Sequence, residues 1–385
     1  MKVLMISTEK LPVPPVRGGA IQTYISGIAP LLSRKHDLTI LGTSDPGLPE
    51  REKKGKIRYV RVEGGYLDVY KREVVKYVKK HRKKFDVIHI FNRPRLVLPV
   101  HKAAPRARII LSMHNDMFDP EKLDPKEAKQ VLKKVEKVVT ISDYVGRRIR
   151  ELHKAKPSKF RTIYSGVDLQ RFTPWDQSKK ALRIRKKLRR QYGLGSKKVI
   201  LYVGRISPKK GADILVRAMN ELKKRHPDIA LVVVGGRWFS DDRVSDYTAY
   251  VRALAKRSSV PIITTGYVSG DKIHEWFWAG DVFVCTSLWQ EPLARVHFEA
   301  MASGLPFITT KRGGNPEVVE KRNGMVVDRP EDPKAFANAL SKLLKDKSKR
   351  RQMGRKGRSL AEKKYGWKRV AKEVGSVWKA GPSKR

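Results

Sequence analysis

Two consecutive doubly wound α/β domains are the architecture this chain predicts, and three observations predict it. Apolar runs of four to six residues alternate with segments of helical periodicity along the sequence, which is the pattern of a mostly parallel sheet covered by helices. The alternation breaks once, where Arg171-Phe-Thr-Pro-Trp-Asp176 leads into a strongly basic stretch, and then resumes. The length of 385 residues also exceeds what one core commonly serves, since domains usually hold roughly 100–200 residues.

In the first half, strands are expected at 3–7, 38–41, 57–62, 87–91, 109–113, 138–141 and 160–163. Helical spacing fills 19–35, 68–84 and 127–137, and in the last of these Ala128, Val131, Leu132 and Val135 share a face. In the second half, strands are expected at 199–203, 230–234, 262–265, 282–285, 307–310 and 324–327. Helices are expected at 212–225 and 292–302, with another starting at Asp332-Pro333. The expected domains are 1–175 and 176–365, with a C-terminal helix in 366–385 returning to the first domain. Ligands of such sheets bind at the carboxyl ends of the strands, so facing sheets would share a ligand in an interdomain crevice.

Apolar residues make up 40% of the chain, enough for packed cores and too many for a disordered polymer. No apolar run approaches the ~20 residues of a membrane span. The first strand lacks the longer apolar core and cleavage site of a signal peptide. The single cysteine, Cys285, lies in an apolar run and reads as a buried thiol. A soluble, cytoplasmic protein is the default expectation.

Charge is the unusual feature. Eighty-five Lys+Arg against 38 Asp+Glu give +47, where a small domain needs only about 2–8 for solubility. Basic runs such as 79–84, 185–190 and 345–358 are expected on polar helix faces and loops. Three readings stay open: a recharged exterior with no specific role, nonspecific attraction to polyanions, and a discrete polyanion site.

Three motifs carry candidate chemistry. Gly18-Gly19 lies between the first strand and the first helix, where glycine lets a ligand approach the backbone. A plain turn would look the same. Gly204-Arg205 through Lys210-Gly211 places two cations on one strand-to-helix connection, suited to a diphosphate and to the charge it develops on leaving. Glu291-Pro-Leu293-Ala294-Arg295-Val-His-Phe-Glu299 sets two carboxylates with seven residues between them, the first expected on a loop and the second two turns into a helix. Each carboxylate can accept two sugar hydroxyls.

Those motifs, with Tyr164-Ser-Gly-Val-Asp168 and Arg312-Gly-Gly-Asn-Pro-Glu-Val318, resemble the retaining glycosyltransferases of family 4, which have the GT-B fold. The resemblance covers essentially the whole chain. More narrowly, Thr8-Glu-Lys-Leu-Pro-Val-Pro, Phe91-Asn-Arg-Pro94 and Trp289 through His297 resemble a spore-coat subgroup, which makes the spore coat a second expected location.

The resemblance implies roles. Arg205 and Lys210 would hold the donor diphosphate, Glu299 the ribose hydroxyls, and Glu291 hydroxyls of the transferred sugar. His114, in Ser112-Met-His-Asn-Asp116, would sit beside that sugar. Gly204, Leu293, Ala294 and Arg295 would line the diphosphate loop, and Gly266 and Val268 would approach the base. Where the family usually has glycine this chain has Ala294, as the spore-coat subgroup does.

The implied reaction moves a hexosyl unit from a nucleoside diphosphate sugar, with UDP-sugar preferred, to a hydroxyl-bearing acceptor with retained configuration. The nucleotide sugar is a cosubstrate and no cofactor is expected. Nor is a metal, because Asp-x-Asp and His/Cys clusters are lacking. Rival readings are a scaffold that keeps the fold without turnover, a charge-driven polyanion binder, and an epimerase or phosphorylase on the same fold.

Overall fold

A computed structural model describes residues 1–238, 243–320 and 322–381. The chain forms two compact units: Met1–Gly166 together with Trp367–Arg385, and Val167–Gly366. The chain therefore leaves the first unit after Gly166, ahead of the proline-containing break at 171–176, because 167–175 belongs with the second core.

Unit 1 begins with β1 (Lys2–Ile6), α1 (Ala20–Leu32), β2 (Asp37–Thr43), β3 (Arg51–Lys54), β4 (Ile57–Val62) and α2 (Leu67–Lys80). It continues with β5 (Val87–Phe91), α3 (Val97–Ala103), β6 (Arg108–Met113), α4 (Pro125–Lys134), β7 (Lys137–Thr140), α5 (Asp143–His153) and β8 (Phe160–Thr162). The sheet order is β3-β4-β2-β1-β5-β6-β7-β8. Every neighbouring pair is parallel except β3 with β4. β1 and β5 are almost wholly buried, as befits central strands covered on both faces, and this is why they read as unbroken apolar runs. Strand order reverses between β1 and β5, so that gap is the topological switch point.

Unit 2 contains α6 (Lys179–Gln191), β9 (Lys198–Val203), α7 (Ala212–Lys223), β10 (Ile229–Val234), α8 (Asp246–Arg257), β11 (Ile262–Thr264) and α9 (Ile273–Ala279). β12 (Val282–Val284), α10 (Val296–Ala302), β13 (Phe307–Thr310), β14 (Gly324–Val327), α11 (Pro333–Leu344) and α12 (Lys347–Lys364) complete it. The order β11-β10-β9-β12-β13-β14 is the 3-2-1-4-5-6 order of a dinucleotide-binding sheet, with its switch point between β9 and β12.

The last helix, α13 (Trp367–Lys379), belongs to unit 1. Its Trp367 ring lies so close to Gly27 that a Cβ there would come within 2.5 Å of the indole. Trp378, on the same helix, is fully buried.

Two expectations about local structure need correction. Helix α10 starts at Val296, so Pro292–Arg295 is loop and Glu299 sits in the first helical turn. The basic run at 185–190 is not all on a solvated face: Arg185 is buried, and Arg185 and Arg189 both pair with Asp281. Among the described residues no helix is long and apolar enough to cross a membrane.

Candidate active site

The carboxyl ends of unit 2's strands carry most of the motif residues. β9 runs into Gly204 and Arg205. Gly204 N donates to Val234 O at 3.0 Å, and Gly235 N donates to Gly266 O at 3.0 Å. Gly235 has φ +140°, and a Cβ there would fall 1.9 Å from Gly204 O. Glycine at 235 thus lets adjacent strand ends meet with bare backbone, a surface that a flat ligand can approach. Val268 is half-buried, two residues beyond Gly266 on the same loop. The Arg205 guanidinium carbon lies 4.4 Å from the centroid of the Trp238 ring, a cation–π stack. Burial pulls the Arg205 pKa down, and the Glu291 and Tyr202 charges oppose that pull.

Lys210 ends a short 3-10 turn, Pro208–Lys210, and its ammonium pairs directly with Glu291 Oε2. The same oxygen accepts from Ser287 Oγ and from Trp289 Nε1, each at 2.8 Å. Burial pushes this carboxyl up, but Lys210 and the two other donors, Ser287 and Trp289, outweigh it and hold Glu291 below its ordinary value. The loop bearing Glu291 is tied to the connection after β13: Gly314 N donates to Glu291 O at 2.8 Å, and Gly313 N to Gln290 Oε1 at 2.7 Å. Ala294 N donates to Asn315 Oδ1 at 3.1 Å. The bond from Gly314 takes the Glu291 carbonyl that a helix starting at 292 would have used for its first turn.

Leu293 and Ala294 are buried. The Ala294 carbonyl lies 2.7 Å from His297 Nδ1, and His297 Nε2 lies 2.7 Å from Thr309 Oγ1. A carbonyl only accepts, so Nδ1 carries a proton. Glu299 is 2% exposed, and Arg295 Nη2 lies 2.8 Å from its Oε1. That approach is out of line for a hydrogen bond, so Oε1 has no aligned donor. Burial raises the Glu299 pKa against the pull of Arg295 and Arg171. A buried carboxylate oxygen without an aligned donor keeps the capacity to accept one.

The remaining motif residues belong to unit 1. Gly18 and Gly19 both have positive φ. A Cβ on Gly19 would fall 2.3 Å from Gln22 Oε1. Gln22 folds back there to donate to Thr8 Oγ1 and Leu11 O at 2.9 and 3.0 Å, which fixes the loop after β1. His114 follows β6. Asn92, in a left-handed conformation with φ 55°, accepts from the backbone N–H groups of His114 and Asn115, each at 3.0 Å. The imidazole packs on Tyr24 and Phe91, and burial holds its pKa down at about 3. His114 is therefore neutral at physiological pH.

Five participants were not assigned from sequence. Ser287 and Trp289 anchor Glu291, and Asn92 positions His114's loop. Glu9 and Arg93 form a buried fork at the β1/β5 switch point, with Nη2 and Oε1 at 2.7 Å. Asn92 and Arg93 stood inside a motif, but only their hydrogen bonds reveal their part. Among the described residues no group of three or more His, Cys, Asp or Glu converges as metal ligands.

The chain matches two family models, Glycosyltransferase Family 4 over residues 18–171 and Glycosyl transferases group 1 over residues 184–360. It is 42% identical over 380 residues to spore coat protein SA of Bacillus subtilis (strain 168), covering 98% of this chain and 99% of that protein. It is 27% identical to the lipopolysaccharide 1,2-N-acetylglucosaminetransferase of Salmonella typhimurium (strain LT2), with 96% of each chain covered. Its fold is similar to that of Anabaena Alr3699/HepE in complex with UDP, with a TM-score of 0.78 at 20% identity over 98% of this chain and all of that one. Two Rossmann-like sheets of mostly parallel strands, the paired motifs on unit 2 and these relatives agree: the chain is a GT-B glycosyltransferase, a member of family 4 with a group 1 glycosyl transferase domain.

Proposed function

We propose that this glycosyltransferase moves a hexosyl unit from a nucleoside diphosphate sugar to an acceptor hydroxyl with retained anomeric configuration and without a metal ion. The observation that carries the reading is the pair of buried carboxylates in contrasting surroundings. Glu291 is held ionised by Lys210, while Glu299 is short of a donor. Glu299 takes the ribose hydroxyls and Glu291 takes hydroxyls of the transferred sugar. Arg205 and Lys210 take the diphosphate, with Gly204, Leu293, Ala294 and Arg295 around it and Gly266 and Val268 beside the base. UDP is the preferred nucleotide, a choice supported by a solved neighbour that carries UDP-glucose.

In this reading the bond between the anomeric carbon and the diphosphate oxygen breaks as the acceptor oxygen bonds to the same face. The departing phosphate oxygen takes the acceptor proton, and Arg205 and Lys210 stabilise the charge left on the diphosphate. The neutral His114 exchanges hydrogen bonds with the sugar hydroxyls and adds no charge. The Gly18-Gly19 loop serves the acceptor side.

The test is a thermal-shift and turnover screen with UDP-, GDP- and ADP-sugars in chelator, followed by NMR of the product anomer. Stabilisation of about 2.7 kcal/mol is expected at ligand a hundredfold above its dissociation constant. No shift with any nucleotide sugar would overturn the proposal, and an inverted product would overturn its stereochemistry.

A further inference from the structure

A groove of about 720 Å³ opens on unit 1 at the amino ends of its strands. Ligands of doubly wound sheets use the carboxyl ends, so this groove is separate from the active-site loops of the same unit. Lys2 opens β1 and Asp37 opens β2. The strand register builds the floor. Lys53 is paired with Arg58, and Arg58 with Thr39, which puts these three side chains in one row on one face of the sheet. Arg51, two residues from Lys53, shares that face and pairs with Val60. The wall is the end of α2, where the Tyr77 and His81 rings lie 4.3 Å apart.

The charges of this groove are unbalanced. Asp37 is committed to Arg58, and Glu52 is committed to Arg61 at 2.5 Å and Lys54 at 3.1 Å. Lys2, Arg51, Lys53 and Lys84 line the groove, are exposed, and have no carboxylate partner among the described residues. Lys53 stands directly opposite Arg58, whose charge Asp37 offsets, so Lys53 adds a cation to that row with no counter-charge of its own. Two carbonyls near the end of α2 are turned away from the groove's cations: His81 takes the Tyr77 and Val78 carbonyls through its backbone N, and Nδ1 lies 2.8 Å from the Tyr77 carbonyl. The volume falls within the ~300–1,000 Å³ of ligand pockets and is far larger than a single phosphate needs.

We propose that this groove is a second anion site, taking a ligand with two or more phosphate groups. Phosphates bridge the facing Lys53 and Arg58 and reach Arg51, Lys2 and Lys84, and the Tyr77 and His81 rings offer an apolar wall for a sugar ring. A phosphorylated sugar and a bare phosphate chain share this chemistry.

The intact protein is titrated calorimetrically with tripolyphosphate at about 0.15 M ionic strength, with and without saturating UDP. Three forms are compared: wild type, Arg51→Ser/Lys53→Ser, and Lys186→Ser/Lys187→Ser. The last removes equal charge from exposed positions on α6 and controls for the net charge. The groove variant is expected to weaken one saturable site at least about tenfold, while the control stays within about twofold. That site persists in UDP, and UDP binding is equal in all three forms. If UDP does not bind, the donor assignment fails while the titration without it still reads the groove. Fructose 1,6-bisphosphate compared with pyrophosphate, in wild type and Tyr77→Ala, identifies which source is preferred. Equal weakening by both charge variants, or an unaltered site in the groove variant, overturns the proposal.

Discussion

Lys210 and Glu291 neutralise each other before any donor arrives, so substituting one exposes the other. Lys210→Ala is expected to reduce turnover by ~10²–10³, as loss of one preorganised donor to a developing anion does. It also strands the Glu291 carboxylate on Ser287 and Trp289 alone. Breaking a fully buried pair costs about 3–5 kcal/mol, and the cost here is expected at or below the lower end because the side chains are 18% and 10% exposed. The sign with pH follows from the lowered pKa of Glu291. Its stabilisation is present above the unfolded carboxyl value of about 4.3 and is lost as pH falls through the folded value. Denaturant titrations should therefore show wild type and Lys210→Ala converging in stability in that acid range. Glu299 behaves oppositely. Its pKa is raised by burial, so its contribution is fullest below the unfolded value and is lost as pH rises through the folded one. Glu299→Gln should leave stability at pH 7 unchanged or higher while weakening the nucleotide. A coincident loss of both, read from melting curves with and without UDP, would mean that Glu299 holds the fold rather than the ribose.

At the scale of elements, periodicity made the strands legible and hydrogen bonds made the loops. The central strands are apolar runs because both faces are buried, and their positions were readable to within a residue or two. β3, Arg51-Glu-Lys-Lys54, was not readable: it is an edge strand without an apolar face, recognisable only by its antiparallel ladder to β4. The motif residues Arg205, Lys210, Glu291 and Glu299 stood out as charge at strand-to-helix junctions. What fixes them did not, because Asn315 to Ala294 and Asn92 to His114 are bonds across 21 and 22 residues. α13 shows another such tie. Trp378 Nε1 donates to His89 Nδ1 at 3.1 Å, and His89 Nε2 lies 2.7 Å from Ser112 Oγ. An indole N–H only donates, so Nδ1 is bare and the proton sits on Nε2. Burial holds the His89 pKa at about 3, so the neutral ring's stabilisation is present above the unfolded value of about 6.5 and lost as pH falls toward 3. Within that window His89 contributes a slope of about 1.4 kcal/mol per pH unit. His89→Gln should lower stability at pH 7 and flatten its dependence between pH 6 and 4. A slope unchanged from wild type would assign the acid sensitivity elsewhere.

On the scale of the whole molecule, the +47 charge divides into cations that hold the fold and cations that oppose it. Several basic side chains end helices by donating to their last carbonyls. Arg350 reaches Leu343 O and Leu344 O of α11 at 2.8 and 2.7 Å, and Arg358 reaches Ala302 O of α10 at 2.7 Å. Arg189 reaches Ala279 O of α9 at 3.0 Å, and Lys159 reaches Val135 O beyond α4 at 2.9 Å. These pairings complement helix dipoles and are shielded from solvent, so salt screens them little. The larger share is exposed, as at Lys186, Lys187 and Arg190 of α6, and exposed like charges repel across the surface. The range of that repulsion falls from about 30 Å to about 10 Å as ionic strength rises from 0.01 to 0.1 M. Added sodium chloride should therefore raise the melting temperature steeply over that interval and then level off. Lys186→Glu/Lys187→Glu should start higher and gain less from salt, because it removes repulsion at its source. Arg350→Met should start lower and keep the full salt gain, because it loses a cap while the exposed charge remains almost the same. If Arg350→Met loses the salt dependence instead, the buried arginines carry the repulsion, and the division between structural and exposed cations fails.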